Sequence, residues 1–464
     1  MRNGGESGMM MPETKTTAPG NDARRAEKGA KRMIRLLIIA DDFTGALDTG
    51  VQFAAHGNST RVVVGHEADF SAAAEVLVVD TETRHVPAAE AYDAVARLTR
   101  EALRAGVRAI YKKTDSALRG NIGAELAAVL DASGCGQLPF LPAYPQTGRI
   151  TRGGVHYVDG VPVTESPFGK DPFSPVRRAD VTALIAQQSA QPACSLPALG
   201  ETDALPARSG ILVFDAETAD DLARTGCRLR ALGKLNVTAG CAGFAAVLPQ
   251  LLGIDAGRPC AQPELDARLL VVCGSVNPIT LAQLNAAEQA GFARLRLSPR
   301  QKLEPDYWAS GEGAAELQGI ERTLAAHPRC IIDTNDPGGN APTAQYAAQH
   351  GIDTRTVRTR IAGGVGQLAG ALFASPAVGT LLVTGGDTLL QCMNSIGVRE
   401  LVPLCEMEKG VVLASFTCGG RTRHVITKSG GFGQEDLLVK LAARIASQTE
   451  QKQHTDSEAS NKTD

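Results

Sequence analysis

The stretch Ile34-Arg35-Leu36-Leu37-Ile38-Ile39-Ala40-Asp41-Asp42-Phe43-Thr44-Gly45-Ala46-Leu47-Asp48 decides how the rest of the chain reads. A near-continuous apolar run ends in two adjacent carboxylates, and Thr44-Gly45 turn the chain into a helix. An unbroken apolar strand suits a parallel sheet covered on both faces, whereas a strand with one wet face alternates. The same rhythm recurs at 62–64, 76–80, 107–112, 211–215, 269–273, 331–334 and 381–384. Between these runs lie stretches such as 88–105 and 281–290, whose apolar residues are spaced by three and four. Strand-helix alternation predicts an α/β fold of two domains, each with a largely parallel sheet flanked by helices.

With 464 residues the chain exceeds one hydrophobic core, so two domains of roughly 200 residues are expected. Glycine and proline cluster at 253–266 just before a fresh apolar run, placing the domains at 33–255 and 268–447. Residues 1–32 show no hydrophobic period and read as a disordered extension, with Met33 a candidate start; 448–464 read as a disordered tail. An apolar content of 43% excludes wholesale disorder, and a formal charge of −3 gives no long-range attraction to nucleic acid or an anionic membrane. No apolar run reaches the ~18 residues that span a bilayer. Ten scattered cysteines without C-x-x-C spacing read as small buried hydrophobes in a reducing cytoplasm.

In open parallel sheets ligands bind where strands end and helices begin. Asp41 and Asp42 stand at such a point. They would orient a substrate hydroxyl, accept its proton or hold a metal; the alternative is an ordinary helix cap by Asp42 or Thr44. Past the next strand, Asp80-Thr81-Glu82-Thr83-Arg84 offers a guanidinium fork for a carboxylate, unless Arg84 merely pairs with Glu82 or Asp80. Lys112-Lys113-Thr114-Asp115-Ser116, followed by Arg119-Gly120-Asn121, crowds opposite charges into one strand-to-helix turn. The long stretch 142–175 reads as a lid over the substrate. In the second half Gly274-Ser275, Gly385-Gly386-Asp387-Thr388 and Gly430-Gly431 are glycine-bearing turns whose amides can approach phosphates. No G-x-x-x-x-G-K-[ST] occurs, and Gly364-Val365-Gly366 reads as a helix start rather than a dinucleotide loop.

In order and spacing, Ala40–Gly45, Lys113–Ser116 with Arg119–Gly123, Thr384–Thr388 and Lys428–Gly433 resemble the motifs of the four-carbon acid sugar kinases. The resemblance implies an active site in the cleft between the domains, sugar acid on the amino-terminal side and ATP on the carboxyl-terminal side. It implies substrate contacts from Asp41, Asp42, Arg84, Lys112, Lys113, Thr114, Asp115 and Ser116. Nucleotide contacts would come from Ser275, Gly385, Gly386, Asp387, Thr388, Gly430 and Gly431, with Mg²⁺ accompanying ATP and its protein ligands unassigned. The expected reaction is phosphorylation of the C4 hydroxyl of D-threonate or D-erythronate, with 3-oxo-tetronates as the alternative acceptors. Asp42 or Asp115 would take the proton. A sugar-phosphate aldolase or isomerase, or a nucleotide-sensing protein, is the remaining alternative; a homodimer is compatible with all of these.

Overall fold

Strand β1 (Leu36–Ala40) is buried along its whole length and lies between two parallel neighbours, as its unbroken apolar run requires. In the computed structural model, which describes residues 34–65, 68–171, 174–258 and 262–447, the first half also holds β2 (Thr60–Val64), β3 (Val76–Asp80), β4 (Ala109–Lys113) and β5 (Gln137–Leu141). It continues through β6 (Arg149–Arg152), β7 (Val155–Val158), β8 (Val161–Pro162), β9 (Ala193–Leu196), β10 (Gly210–Phe214) and β11 (Val237–Gly240). The second half holds β12 (Leu269–Cys273), β13 (Ala293–Arg296), β14 (Arg329–Asp333), β15 (Thr380–Thr384), β16 (Glu400–Glu408), β17 (Val411–Cys418) and β18 (Arg421–Lys428). The expected extension 1–32 and tail 448–464 lie outside the described residues.

Fifteen strands form one sheet in the order β13-β14-β12-β15-β18-β17-β16-β2-β3-β1-β4-β11-β5-β10-β9. It is parallel except where β16 pairs with β2 and β17, and β17 with β18. The two halves do not carry separate sheets: Leu401 and Glu400 of β16 pair with Val62 and Val63 of β2. That junction covers an edge that β2 would otherwise leave open. An ion pair between Arg61 and Glu400 fastens it.

Helix Phe43–Ala54 lies at the junction, and all 12 of its residues are buried. It packs on β1, β2 and β3 of its own half and on β16, β17 and helix Gly386–Ser395 of the other. A helix enclosed on every side needs the small and apolar composition of Phe43-Thr44-Gly45-Ala46-Leu47.

The stretch 142–175 is not irregular throughout. It folds into the small antiparallel sheet β6-β7-β8 and short 3₁₀ turns at Pro145–Thr147 and Pro167–Lys170. The helix expected to start near Gly364 begins ten residues earlier. Asp353 caps helix Thr354–Phe373 by accepting from the Thr356 amide, so the Gly364–Gly366 pair lies in its interior.

Candidate functional site

The carboxyl ends of β1, β3, β4, β12 and β15 open on one cavity of about 1170 Å³, lined by residues from both halves of the chain.

On the first-half wall, Asp42 both caps helix Phe43–Ala54 and faces the cavity. Its Oδ1 accepts from the Gly45 amide (3.0 Å) and Arg84 Nη2 (2.8 Å), and its Oδ2 from Thr44 Oγ1 (2.9 Å). The helix cap and the cavity lining therefore coincide in one side chain. Asp41 is almost fully buried and takes Arg84 Nε at 2.7 Å. Burial alone would raise its pKa, but Arg84 and then Lys112 hold it below the ordinary carboxylate range. Its Oδ1 is buried without a hydrogen-bond partner.

Arg84 therefore has two donor positions committed to protein carboxylates, and Asp115 Oδ1 lies 3.5 Å from its Nη2. It braces three acids rather than standing open-handed. Asp115 is further clamped by Arg119, whose Nε and Nη2 each reach it at 2.9 Å. Against the effect of burial, Arg119 and Arg84 hold the Asp115 carboxyl well below its usual range.

Lys113 and Ser116 line the cavity, but Lys112 and Thr114 do not. Side chains alternate across a strand, so Lys112 points to the opposite face of the sheet from Lys113. There its Nζ meets Glu125 Oε2 (2.8 Å) and the carbonyls of Ile39 (3.1 Å) and Lys113 (2.6 Å), fully buried. Thr114 is likewise fully buried. Its Oγ1 has no hydrogen-bond partner among the described residues, and neither Lys112 nor Thr114, both expected to contact substrate, lines the cavity.

Two cavity carboxyls carry unusual charge behaviour. Asp48 is buried one helical turn beyond Thr44, and burial pushes its pKa up to about 7 against the pull of Lys113. Its i,i+4 spacing from Thr44 was the signal that it shares the cavity face. Glu82 lies beside Asp80, whose carboxyl is raised well above its ordinary range by burial and by the Glu82 charge; burial raises that of Glu82 too. Glu82 holds a left-handed backbone (φ 53°), the kind of strained conformation that clusters at functional sites.

On the second-half wall stand Ser275, Gly385, Gly386, Asp387, Thr388, Gly430 and Gly431, all lining the same cavity. Gly385 has φ +107°, a conformation that L side chains rarely adopt. The N-terminus of helix Gly386–Ser395 is thereby aimed at the cavity, where its free amides favour an anion. A Cβ on Gly386 would stand 3.0 Å from Asp42 Oδ2, across the two halves. Asp387 is not open: Arg358 holds both its oxygens at 2.6 Å. Asn335, just past β14, also lines the cavity; Asp333-Thr334-Asn335 is a polar strand end that sequence reasoning passed over.

The 142–175 segment supplies Glu165, Pro167, Phe168 and Lys170 to the rim. Arg149 reaches across it, donating from Nη2 to the Gly431 carbonyl (3.1 Å) with its guanidinium over the Phe432 ring (4.8 Å). Among the described residues, no group of three or more His, Cys, Asp or Glu is placed to hold a metal ion, and no helix is long and apolar enough to cross a membrane.

Residues 36–248 match the family model described as a sugar-binding N-terminal domain, and residues 270–438 the one described as a nucleotide-binding C-terminal domain. The chain is 34% identical over 424 residues to the D-threonate kinase of Bordetella bronchiseptica, covering 88% of this chain and 96% of that protein. It is 29% identical over 450 residues to the D-erythronate kinase of Heliobacterium modesticaldum, covering 90% and 99%. A solved Salmonella typhimurium LT2 structure, described as a putative tRNA synthase, is 20% identical with a TM-score of 0.68, covering 88% and 98%; that likeness concerns the fold alone. On the strength of relatives matched over nearly their full length, the chain belongs to the four-carbon acid sugar kinase family.

Proposed function

We propose that this protein transfers the γ-phosphate of ATP to the C4 hydroxyl of a four-carbon sugar acid, D-threonate or D-erythronate, in the cavity between its two halves. The observation that carries this reading is the facing of Asp42 and the Gly386 helix N-terminus across a gap so narrow that a Cβ on Gly386 would stand 3.0 Å from Asp42 Oδ2. A carboxylate that orients a hydroxyl and an amide cluster that holds a phosphate are then neighbours, as direct transfer requires.

On this reading ATP lies along Ser275, the Gly385–Thr388 turn and Gly430–Gly431, its phosphates met by backbone amides. The sugar acid lies along Lys113, Ser116 and the Asp41–Asp42 pair, with Arg84 contributing through Nη1. The C4 oxygen forms its bond to the γ-phosphorus as the bond to the bridging oxygen of ADP breaks. The hydroxyl proton passes to Asp42. Asp115 is the weaker acceptor, since two arginines stabilise its charged form. Mg²⁺ commonly keeps one or two carboxylates and fills its shell with phosphates and water, so the absence of a larger acidic cluster among the described residues is no obstacle. Arg358 holds both oxygens of Asp387 and Asp42 serves the hydroxyl, so an ion accompanying ATP would be held chiefly by phosphate and water, where it would offset phosphate charge. The segment carrying Phe168 would exclude water as a competing acceptor. The amino- and carboxyl-terminal domains would be 33–255 and 268–447, working in the cytoplasm.

A coupled assay for ADP release, run with D-threonate, D-erythronate and a 3-oxo-tetronate, tests this. Turnover with either of the first two is expected. Turnover with the third alone would move the substrate assignment, and ATP binding without ADP formation from any of them would defeat the proposal.

A further inference from the structure

Beside the main cavity lies a second one of about 580 Å³. Residues 174–178 and helix Val181–Gln188 wall it on one side, and the first turn of helix Thr354–Phe373 on the other. Arg84, His85, Arg119 and Arg358 belong to both cavities and form the partition between them. Its lining contains six arginines, Arg84, Arg119, Arg177, Arg178, Arg355 and Arg358, and no described aspartate or glutamate.

The charge is not cancelled evenly. Arg84, Arg119 and Arg358 are matched by Asp41, Asp42, Asp115, Asp171 and Asp387. Arg177, Arg178 and Arg355 form no ion pair among the described residues, and all three are exposed. Like charges lining one concave site repel one another unless an anion sits among them. The amino end of the 20-residue helix Thr354–Phe373 adds positive potential, tempered by its Asp353 cap. His85, on the partition, responds to the same surroundings: burial, then Arg358 and Arg84, push its pKa down to about 4.

We propose that this second cavity binds a phosphate-bearing small anion, separately from the transfer site. A guanidinium fork matches the geometry of phosphate oxygens, and three arginines without an ion-pair partner among the described residues line this cavity, which has no described carboxylate in its lining. Two sources share that chemistry: the phosphorylated sugar acid made next door, and free inorganic phosphate. The first source rests on the kinase reading; the anion chemistry does not. A product held here, beside the transfer site, would slow further turnover as it accumulates.

The test is calorimetric titration of the protein, saturated with a non-hydrolysable ATP analogue, against inorganic phosphate and, separately, against the C4-phosphorylated acid. It is repeated on Arg177→Glu/Arg178→Glu and, on the facing wall, Arg355→Glu. The expected result is saturable binding by the wild type of at least one anion, weakened by about tenfold or more in each variant that keeps its melting temperature. Initial turnover, with no added anion, should stay unchanged. The arm that binds more tightly identifies the source. No binding of either anion to the wild type, or equal binding by folded variants on both walls, would overturn the proposal. Because binding is the readout, the result does not depend on whether a four-carbon acid is turned over.

Discussion

Asp42 and Gly386 come from opposite halves of the chain, and a methyl group on Gly386 would lie 3.0 Å from Asp42 Oδ2 and 3.5 Å from Thr44 Oγ1. Replacing Gly386 by alanine would force Asp42 aside by a few tenths of an ångström. Alanine suits the first turn of a helix, so folding should be unaffected. We expect a melting temperature within experimental error of wild type and a kcat reduced on the order of tenfold to a hundredfold, since small misplacements at a transfer site are costly. Steady-state kinetics beside a melting curve checks both.

Asp42→Asn keeps a good helix cap but removes the proposed proton acceptor. kcat should fall by about 10²–10⁴-fold with little change in the KM for ATP. Wild-type turnover in this variant would strip Asp42 of its assigned role.

Arg84 is the counter-charge of three buried or nearly buried acids, so Arg84→Ala should be a stability mutation as well as a kinetic one. Breaking buried ion pairs from one side costs about 3–5 kcal/mol. Denaturant titration should register that loss together with a lower kcat. Arg84→Lys should recover only part of either, because one ammonium cannot bridge Asp41 and Asp42 in parallel as Nε and Nη2 do.

Asp48 carries a pH signature. Its folded pKa is raised to about 7, above the unfolded value, so its contribution to stability is complete below the unfolded pKa near ~4. That contribution is lost as pH rises through about 7. Asp48→Asn mimics the protonated form and should flatten this part of the profile. Melting curves should place the variant above wild type at pH 8, by a few kcal/mol at most, and level with it near pH 4. A variant that tracks wild type across the whole range would remove the assignment.

The strands were legible because buried parallel strands write themselves as unbroken apolar runs, and 269–273 emerged with its expected bounds as β12. The charged turn after β4 was only half legible. Composition marked Lys112-Lys113-Thr114-Asp115-Ser116 as a unit, yet strand alternation sends Lys112 to Glu125 on the far face and Lys113 to the cavity. Arg84 was recognised as a fork, but what the fork holds depends on Asp41 and Asp115, which are distant in sequence. Asp48 escaped notice because its buried environment comes partly from packing against the other half of the chain. Likewise, nothing local in Glu400-Leu401 announces that β16 will pair with β2, since that contact joins segments more than three hundred residues apart.

Phosphorus and proton NMR of the product formed from ATP and D-threonate or D-erythronate addresses most directly whether the two walls work on one another. The expected spectrum has the new phosphorus coupled to the C4 protons, with ADP formed in equal amount and inorganic phosphate near background. Phosphate released to water alone, or phosphorus attached to C2, C3 or the carboxylate, would contradict a carboxylate-oriented C4 hydroxyl facing an amide-held triphosphate.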